Sequence, residues 1–145
     1  AVRAQGAPPA PEAARARVED SGHRMTPQRA AVYDYLARVD THPTAEEVYR
    51  AVKRRLPRVG LATVYNSLEV LVRSGLVGKL TAGHAAARYD ARTDVHSHVR
   101  CLRCGRVEDL DVVPDAGWLG ALPTRDFEAT AFRFELLGRC AACRA

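Results

Sequence analysis

Long apolar runs are the first thing this sequence lacks. No stretch of its 145 residues approaches the ~18 consecutive apolar positions that a membrane-spanning helix needs. No positively charged start leads into a signal-type apolar core. The expected compartment is the cytoplasm, with no membrane partner. Cysteine is scarce, at four residues, and spacing leaves none over: Cys101-x-x-Cys104 and Cys140-x-x-Cys143. No nucleophile–base constellation accompanies them, so neither a thiol redox enzyme nor a metal-dependent hydrolase is expected. The rest of the composition, 47% hydrophobic and 27% charged, is that of a globular chain long enough to bury a core. The opening "AVRAQGAPPAPEAARA" is rich in Ala and Pro, which predicts a disordered tail over residues 1–14.

Charge is unevenly spread. Residues 1–88 carry 14 Lys/Arg against 8 Asp/Glu, a net of +6, while residues 89–145 carry 8 against 9, a net of −1. A basic half joined to a near-neutral half points to a nucleic-acid-binding module beside something else, although a solvated basic surface has the same balance.

Start and stop signals in the basic half predict three helices and a hairpin. In "MTPQRAAVYDYLARVD", Thr26 is placed to cap, Pro27 suits the first turn, and Val32, Leu36 and Val39 form a stripe. In "PTAEEVYRAVKRRLP", Thr44 and Glu47 form a T-x-x-E capping box, Val48, Val52 and Leu56 face inward, and Pro57 stops the helix. In "LATVYNSLEVLVRSG", Val64, Leu68 and Leu71 face inward and Gly75 is the expected stop. A further helix is expected upstream in "PEAARARVEDSG", with a weak apolar stripe. After Gly75 the period changes: "LVGKLTAG" and "AARYDA" are short, turn-bounded runs that read as a β-hairpin. This order is that of a winged helix-turn-helix, whose last helix enters the major groove of double-stranded DNA. The expected outward face of that helix holds Thr63, Tyr65, Asn66, Ser67 and Arg73. Arg24 and Gln28 join Thr63, Tyr65, Asn66 and Ser67 as the candidate DNA contacts, since amides, hydroxyls and guanidinium groups suit phosphates and base edges.

The two Cys-x-x-Cys pairs present two thiolates each, and together make a tetrahedral four-sulfur site suited to structural Zn²⁺. A disulfide framework is disfavoured in a reducing compartment, and a redox dithiol needs only one pair. Sulfur in one site leaves "DVHSHVRCLRCGRVEDLDV" with unassigned donors. His96 and His98 stand at i and i+2, so a strand projects both from one face. Two imidazoles are half of a first-row transition-metal site, with carboxylates as complement. Asp109 and Asp111 share parity on a following strand, Glu108 faces oppositely, and Asp90 is a further candidate. Parity does not choose between the two aspartates. His23 and His84 show no partner pattern.

The stretches "RMTPQRAAVYDYL", "HPTAEEVYRAV", "LATVYNSLEVLVRSGLV", "HSHVRCLRCGRVEDL" and "LLGRCAAC" together resemble the ferric uptake regulator family of bacterial metal-dependent repressors, over roughly residues 22–143. The resemblance implies an α+β chain: a winged-helix DNA-binding domain over 15–90 and a zinc-stapled α/β dimerisation domain over 91–145, in a homodimer. It implies a regulatory Fe²⁺ or Mn²⁺ site formed by His42, Asp90, His96, His98 and Asp109, and so favours Asp109 over Asp111. Asp rather than Glu at 90 and 109, with Asn at 66, resembles the peroxide-sensing branch, of the catalase gene repressor type. In that branch, peroxide acting at bound iron converts a histidine ligand, here His42 or His96, to its 2-oxo form, and the repressor leaves its operator. Peroxide would then be a signal, with no other small-molecule substrate. An iron- or zinc-responsive uptake repressor of the same family is the alternative. Extra histidines that mark a third metal site in some members are missing from "FEATAFRFELL".

Overall fold

A computed structural model of the chain describes residues 6–112, 114–115, 117, 121, 126–128 and 133–144. It divides into two compact units, one ending at Asp94 and the other beginning at Val95.

The first unit holds four helices and a hairpin: α1 (Pro11–Asp20), α2 (Pro27–Leu36), α3 (Ala45–Arg55), α4 (Leu61–Arg73), β1 (Gly78–Leu80) and β2 (Arg88–Asp90). Each main helix starts where its local chemistry dictates. Thr26 caps α2 by accepting from the Arg29 amide at 3.2 Å, with Pro27 in the first turn. Thr44 and Glu47 close the reciprocal box of α3, the Thr44 amide donating to Glu47 Oε2 at 2.8 Å and the Glu47 amide to Thr44 Oγ1 at 3.3 Å. At the far end of α4, Gly75 adopts φ +71°, and the Leu76 amide donates to the Leu71 carbonyl at 3.1 Å, a left-handed close that favours glycine.

Their apolar faces meet in one core. Val32, Val48, Val52, Val64, Leu68, Leu71 and Leu76 are essentially inaccessible within it. The expected stripes run short at their ends: Val39 lies beyond α2 and Leu56 caps α3, both only half-buried. The tail expected over residues 1–14 also gives way at its end, because α1 begins at Pro11. Ala14 and Val18, one turn apart, are wholly buried, and the Tyr33 hydroxyl donates to the Pro9 carbonyl at 2.7 Å. Two small apolar side chains at the right spacing anchor a helix whose other residues are exposed. β1 and β2 pair antiparallel with Lys79 opposite Tyr89, completing the winged helix.

The second unit is a three-stranded sheet of order β4-β3-β5, from β3 (Ser97–Cys101), β4 (Val107–Leu110) and β5 (Glu135–Gly138), followed by the short α5 (Ala141–Arg144). β3 runs antiparallel to β4 and parallel to β5. Arg100, almost fully buried, holds Glu135 at 2.9 Å across the parallel pair. The stretch 127–137, in which no third metal site is expected, falls partly outside the described residues.

Candidate metal centres and nucleic-acid interface

The sheet brings the cysteines together. Cys101 ends β3, and the chain turns at once through Gly105, whose φ of +74° lets its amide return to the Cys101 carbonyl at 2.9 Å. Parallel pairing sets Cys101 opposite Gly138, and the Leu102 amide donates to the Gly138 carbonyl at 2.8 Å. Cys140 and Cys143 therefore leave β5 beside the first turn. All four sulfurs are free thiols lying within 4.8 Å of one another, and Cys104 Sγ is 3.8 Å from Cys140 Sγ. A regular tetrahedron with metal–sulfur bonds of ~2.3 Å has edges of about 3.8 Å, so the set fits a zinc ion. The electrostatics favour at least one thiolate: the backbone N–H of Cys104, then that of Cys140, pulls the Cys101 thiol down to about 6. Cys143 is pushed up to about 12, first by its hydrogen bond with the Cys140 thiol, then by burial. Four crowded sulfurs resist a second and third negative charge unless a cation accompanies them.

The histidines and carboxylates form two sets, one in each unit. In the sheet unit, His98 lies on β3 directly opposite Asp109 on β4. His96 Nε2 is 3.2 Å and His98 Nε2 3.5 Å from Asp109 Oδ1, and the two imidazole centroids are 4.5 Å apart. Asp111 lies past the end of β4 and is exposed, so cross-strand register decides between the two aspartates where parity did not. Glu108, opposite Val99, is exposed.

In the helical unit, His42 Nε2 is 3.4 Å from Asp90 Oδ2; the His42 side chain is buried and that of Asp90 is 11% exposed. The His42–Thr44 segment is fastened to β2: the Tyr89 amide donates to the Pro43 carbonyl at 3.0 Å, Thr44 bridges Arg88, and Arg88 Nη1 donates to the His42 carbonyl at 2.9 Å. The Arg92 amide donates to Asp90 Oδ1 at 2.8 Å, fixing the carboxylate. Mixed nitrogen and oxygen donors of this kind suit a divalent first-row ion. Sequence reasoning missed Arg88, which is 46 residues from the carbonyl it serves and leaves no local pattern.

The α4 surface carries Thr63, Tyr65 and Asn66, all exposed, as are Arg24 and Gln28 near the start of α2 and Arg73 at the end of α4. Ser67 does not join them. It is 2% exposed, and its hydroxyl donates to the Thr63 carbonyl at 2.8 Å. Position 67 lies three residues after Val64 and beside Leu68, so the 3.6-residue period turns it toward the core. Glu69, one turn after Tyr65, holds Lys79 of β1 at 2.7 Å, linking the hairpin to α4.

Comparison with known proteins agrees with this geometry. The ferric uptake regulator family model matches residues 20–114. The peroxide-responsive repressor PerR of Staphylococcus epidermidis is 37% identical over 134 residues, covering 89% of this chain and 87% of that protein. PerR of Staphylococcus aureus (strain USA300) is 37% identical over 131 residues, covering 89% and 88%. Among solved structures, the Helicobacter pylori ferric uptake regulator superposes with a TM-score of 0.80 at 20% identity, covering 97% of each chain, which speaks to fold alone. The Campylobacter jejuni peroxide stress regulator does so at 0.66 and 28% identity, covering 91% and 97%. Proteins of this kind regulate transcription and are not enzymes. The chain belongs to the ferric uptake regulator family.

Proposed function

We propose that this protein is a metal-dependent, peroxide-sensing transcriptional repressor that binds operator DNA as a homodimer. Its two kinds of donor set serve separate ends. Cys101, Cys104, Cys140 and Cys143 hold a structural zinc, and His42, Asp90, His96, His98 and Asp109 serve one regulatory Fe²⁺ or Mn²⁺. The observation that carries the peroxide reading is the pairing of each carboxylate with imidazole: Asp90 beside His42, and Asp109 beside His96 and His98. Relatives that share 37% of their residues and are named peroxide-responsive repressors support it.

Iron, when bound, supplies the electrons that reduce peroxide beside the histidine rings. The chain does the rest. His42 and Asp90 belong to the DNA-binding half, and His96, His98 and Asp109 to the other, so an ion taking donors from all five restrains the angle between the halves. In a dimer that angle sets the spacing of the two α4 helices, which must match half-sites one helical turn, or a multiple of it, apart. Oxidation of the His42 or His96 ring removes a donor, relaxes the restraint and lowers operator affinity, while four sulfurs on redox-silent zinc are untouched. Thr63, Tyr65 and Asn66 meet base edges and phosphates, with Arg24 and Gln28 on the flanking backbone. The exposed Leu136 and Leu137 of β5 offer the apolar surface a second copy would cover.

Operator binding by the iron-loaded protein before and after a short peroxide pulse tests this reading, with mass spectrometry for a 16-Da gain on His42 or His96. Loss of binding with that gain is expected. Unchanged binding would end the peroxide reading and leave a repressor that senses iron or zinc supply. Asp109→Glu should keep Mn²⁺-dependent binding and reduce peroxide sensitivity, since a longer carboxylate changes the iron geometry.

A further inference from the structure

His42 has a φ of +51°, alone among the described non-glycine residues in the left-handed region. An L side chain disfavours that region, and the proline that follows restricts the residue further. Such a conformation persists only where surrounding contacts over-determine it. Those contacts converge on Arg88. Its Nη1 donates to the His42 carbonyl at 2.9 Å and stands 3.6 Å from Glu47 Oε2. Its backbone bridges Thr44, and the amide of the next residue, Tyr89, holds the Pro43 carbonyl. The Arg88 side chain is only 18% exposed, so water competes weakly for its bond to the His42 carbonyl, while the Glu47 side chain it faces is about half-exposed. Glu47 is at the same time the capping-box residue of α3. One guanidinium thus joins the carbonyl of a candidate metal ligand, the start of a helix in the DNA-binding half and the second strand of the hairpin.

We propose that Arg88 is the positioning residue for His42, holding it in the conformation that sets its imidazole against Asp90 and linking that position to α3 and the hairpin. The inference rests on reading His42 as a metal ligand. A planar fork with several donors reaches the carbonyl and the carboxylate together, whereas an ammonium serves as a single point charge. Residues that orient a metal ligand without touching the metal commonly change affinity by 10- to 100-fold when removed.

The test is Mn²⁺ affinity, by competition with a chromophoric chelator, in the full-length protein with its zinc retained. Arg88→Met keeps the aliphatic stem and removes the donors; it should weaken Mn²⁺ binding about tenfold, at the lower end of that range. Arg88→Lys should recover part of the loss. Introducing Arg88→Met into His42→Ala should cause no further loss, because its effect passes through His42. Without added Mn²⁺, amide exchange at Tyr89 should quicken in Arg88→Met and be restored in Arg88→Lys. An equal further loss in the His42→Ala background would overturn the inference, as would full Mn²⁺ affinity in Arg88→Met. Wild type that binds no Mn²⁺ would overturn the metal reading of His42 and this inference with it; wild type that binds while Arg88→Met binds equally well would overturn this inference alone.

Discussion

The two units are held together by different means. Every buried member of the hydrophobic cluster lies between Ala14 and Ala91, in the helical unit. Beyond Val95, the buried apolar side chains among the described residues are Cys101 and Val107. A unit with so little apolar burial needs another source of cohesion, and its four sulfurs lie where a zinc ion would supply it. The helical unit has its own core and helix caps. The regulatory donors then have a division of labour. Under the proposed function, the sheet unit would contribute three of them beside the four sulfurs, and the helical unit two, one from the loop before α3 and one from β2.

The sharpest way to break this contrast is to remove one sulfur. Cys140→Ser should cost the sheet unit its zinc and its fold, because binding free energies of roughly 10–16 kcal/mol in small zinc peptides are folding free energies. Circular dichroism and zinc content should show the α-helical signal of the first unit surviving while dimers are lost. A variant that stays a dimer of normal thermal stability would remove zinc from the account of the sheet unit. The converse is Leu68→Ala in the first unit, where a wholly buried leucine is replaced by a cavity. It should destabilise that unit by about 2–5 kcal/mol in urea denaturation without releasing zinc. Zinc loss in that variant would mean that the units do not hold themselves together separately.

These differences track what was legible in the sequence. The Thr26 cap, the Thr44–Glu47 capping box, the glycine stop and the Cys-x-x-Cys turns are local devices, and each forms where residue type and spacing expected it. The winged order followed from them. What stayed hidden depends on long-range placement. Parity could not separate Asp109 from Asp111, since only the register of β4 against β3 sets Asp109 opposite His98. Ser67 looked like a surface hydroxyl by type, but the angular position between Val64 and Leu68 turned it inward. Arg88 was invisible because its partner is a backbone carbonyl, which no side-chain pattern marks.

The Ser67 correction gives the next prediction. Asn66→Ala should cost about 1–3 kcal/mol of operator discrimination, the worth of a bidentate base contact, with metal content unchanged. Tyr65→Ala should weaken binding in the same assay. Ser67→Ala should leave operator affinity within error of wild type and change only stability, by the net worth of one hydrogen bond, about 1 kcal/mol. Fluorescence anisotropy on an operator duplex separates the two positions. A Ser67→Ala loss as large as that of Asn66→Ala would restore Ser67 to the contact face.

The smallest expected effect concerns how the helical unit begins its helices. Thr44 both accepts from the Glu47 amide and donates its own amide to the Glu47 carboxylate, whereas Thr26 makes only the first kind of bond. Removing either hydroxyl costs on the order of 1 kcal/mol. Glu47, however, also faces Arg88, the residue that holds His42. Thr44→Ala loosens a helix start tied through Glu47 and Arg88 to the His42 carbonyl, while Thr26→Ala loosens one with no such tie among the described residues. Both variants should therefore lose about the same stability in urea, but only Thr44→Ala should also weaken Mn²⁺ binding. Equal Mn²⁺ affinity in the two would confine the Thr44 cap to folding and cut the link between the α3 start and the proposed ligand His42.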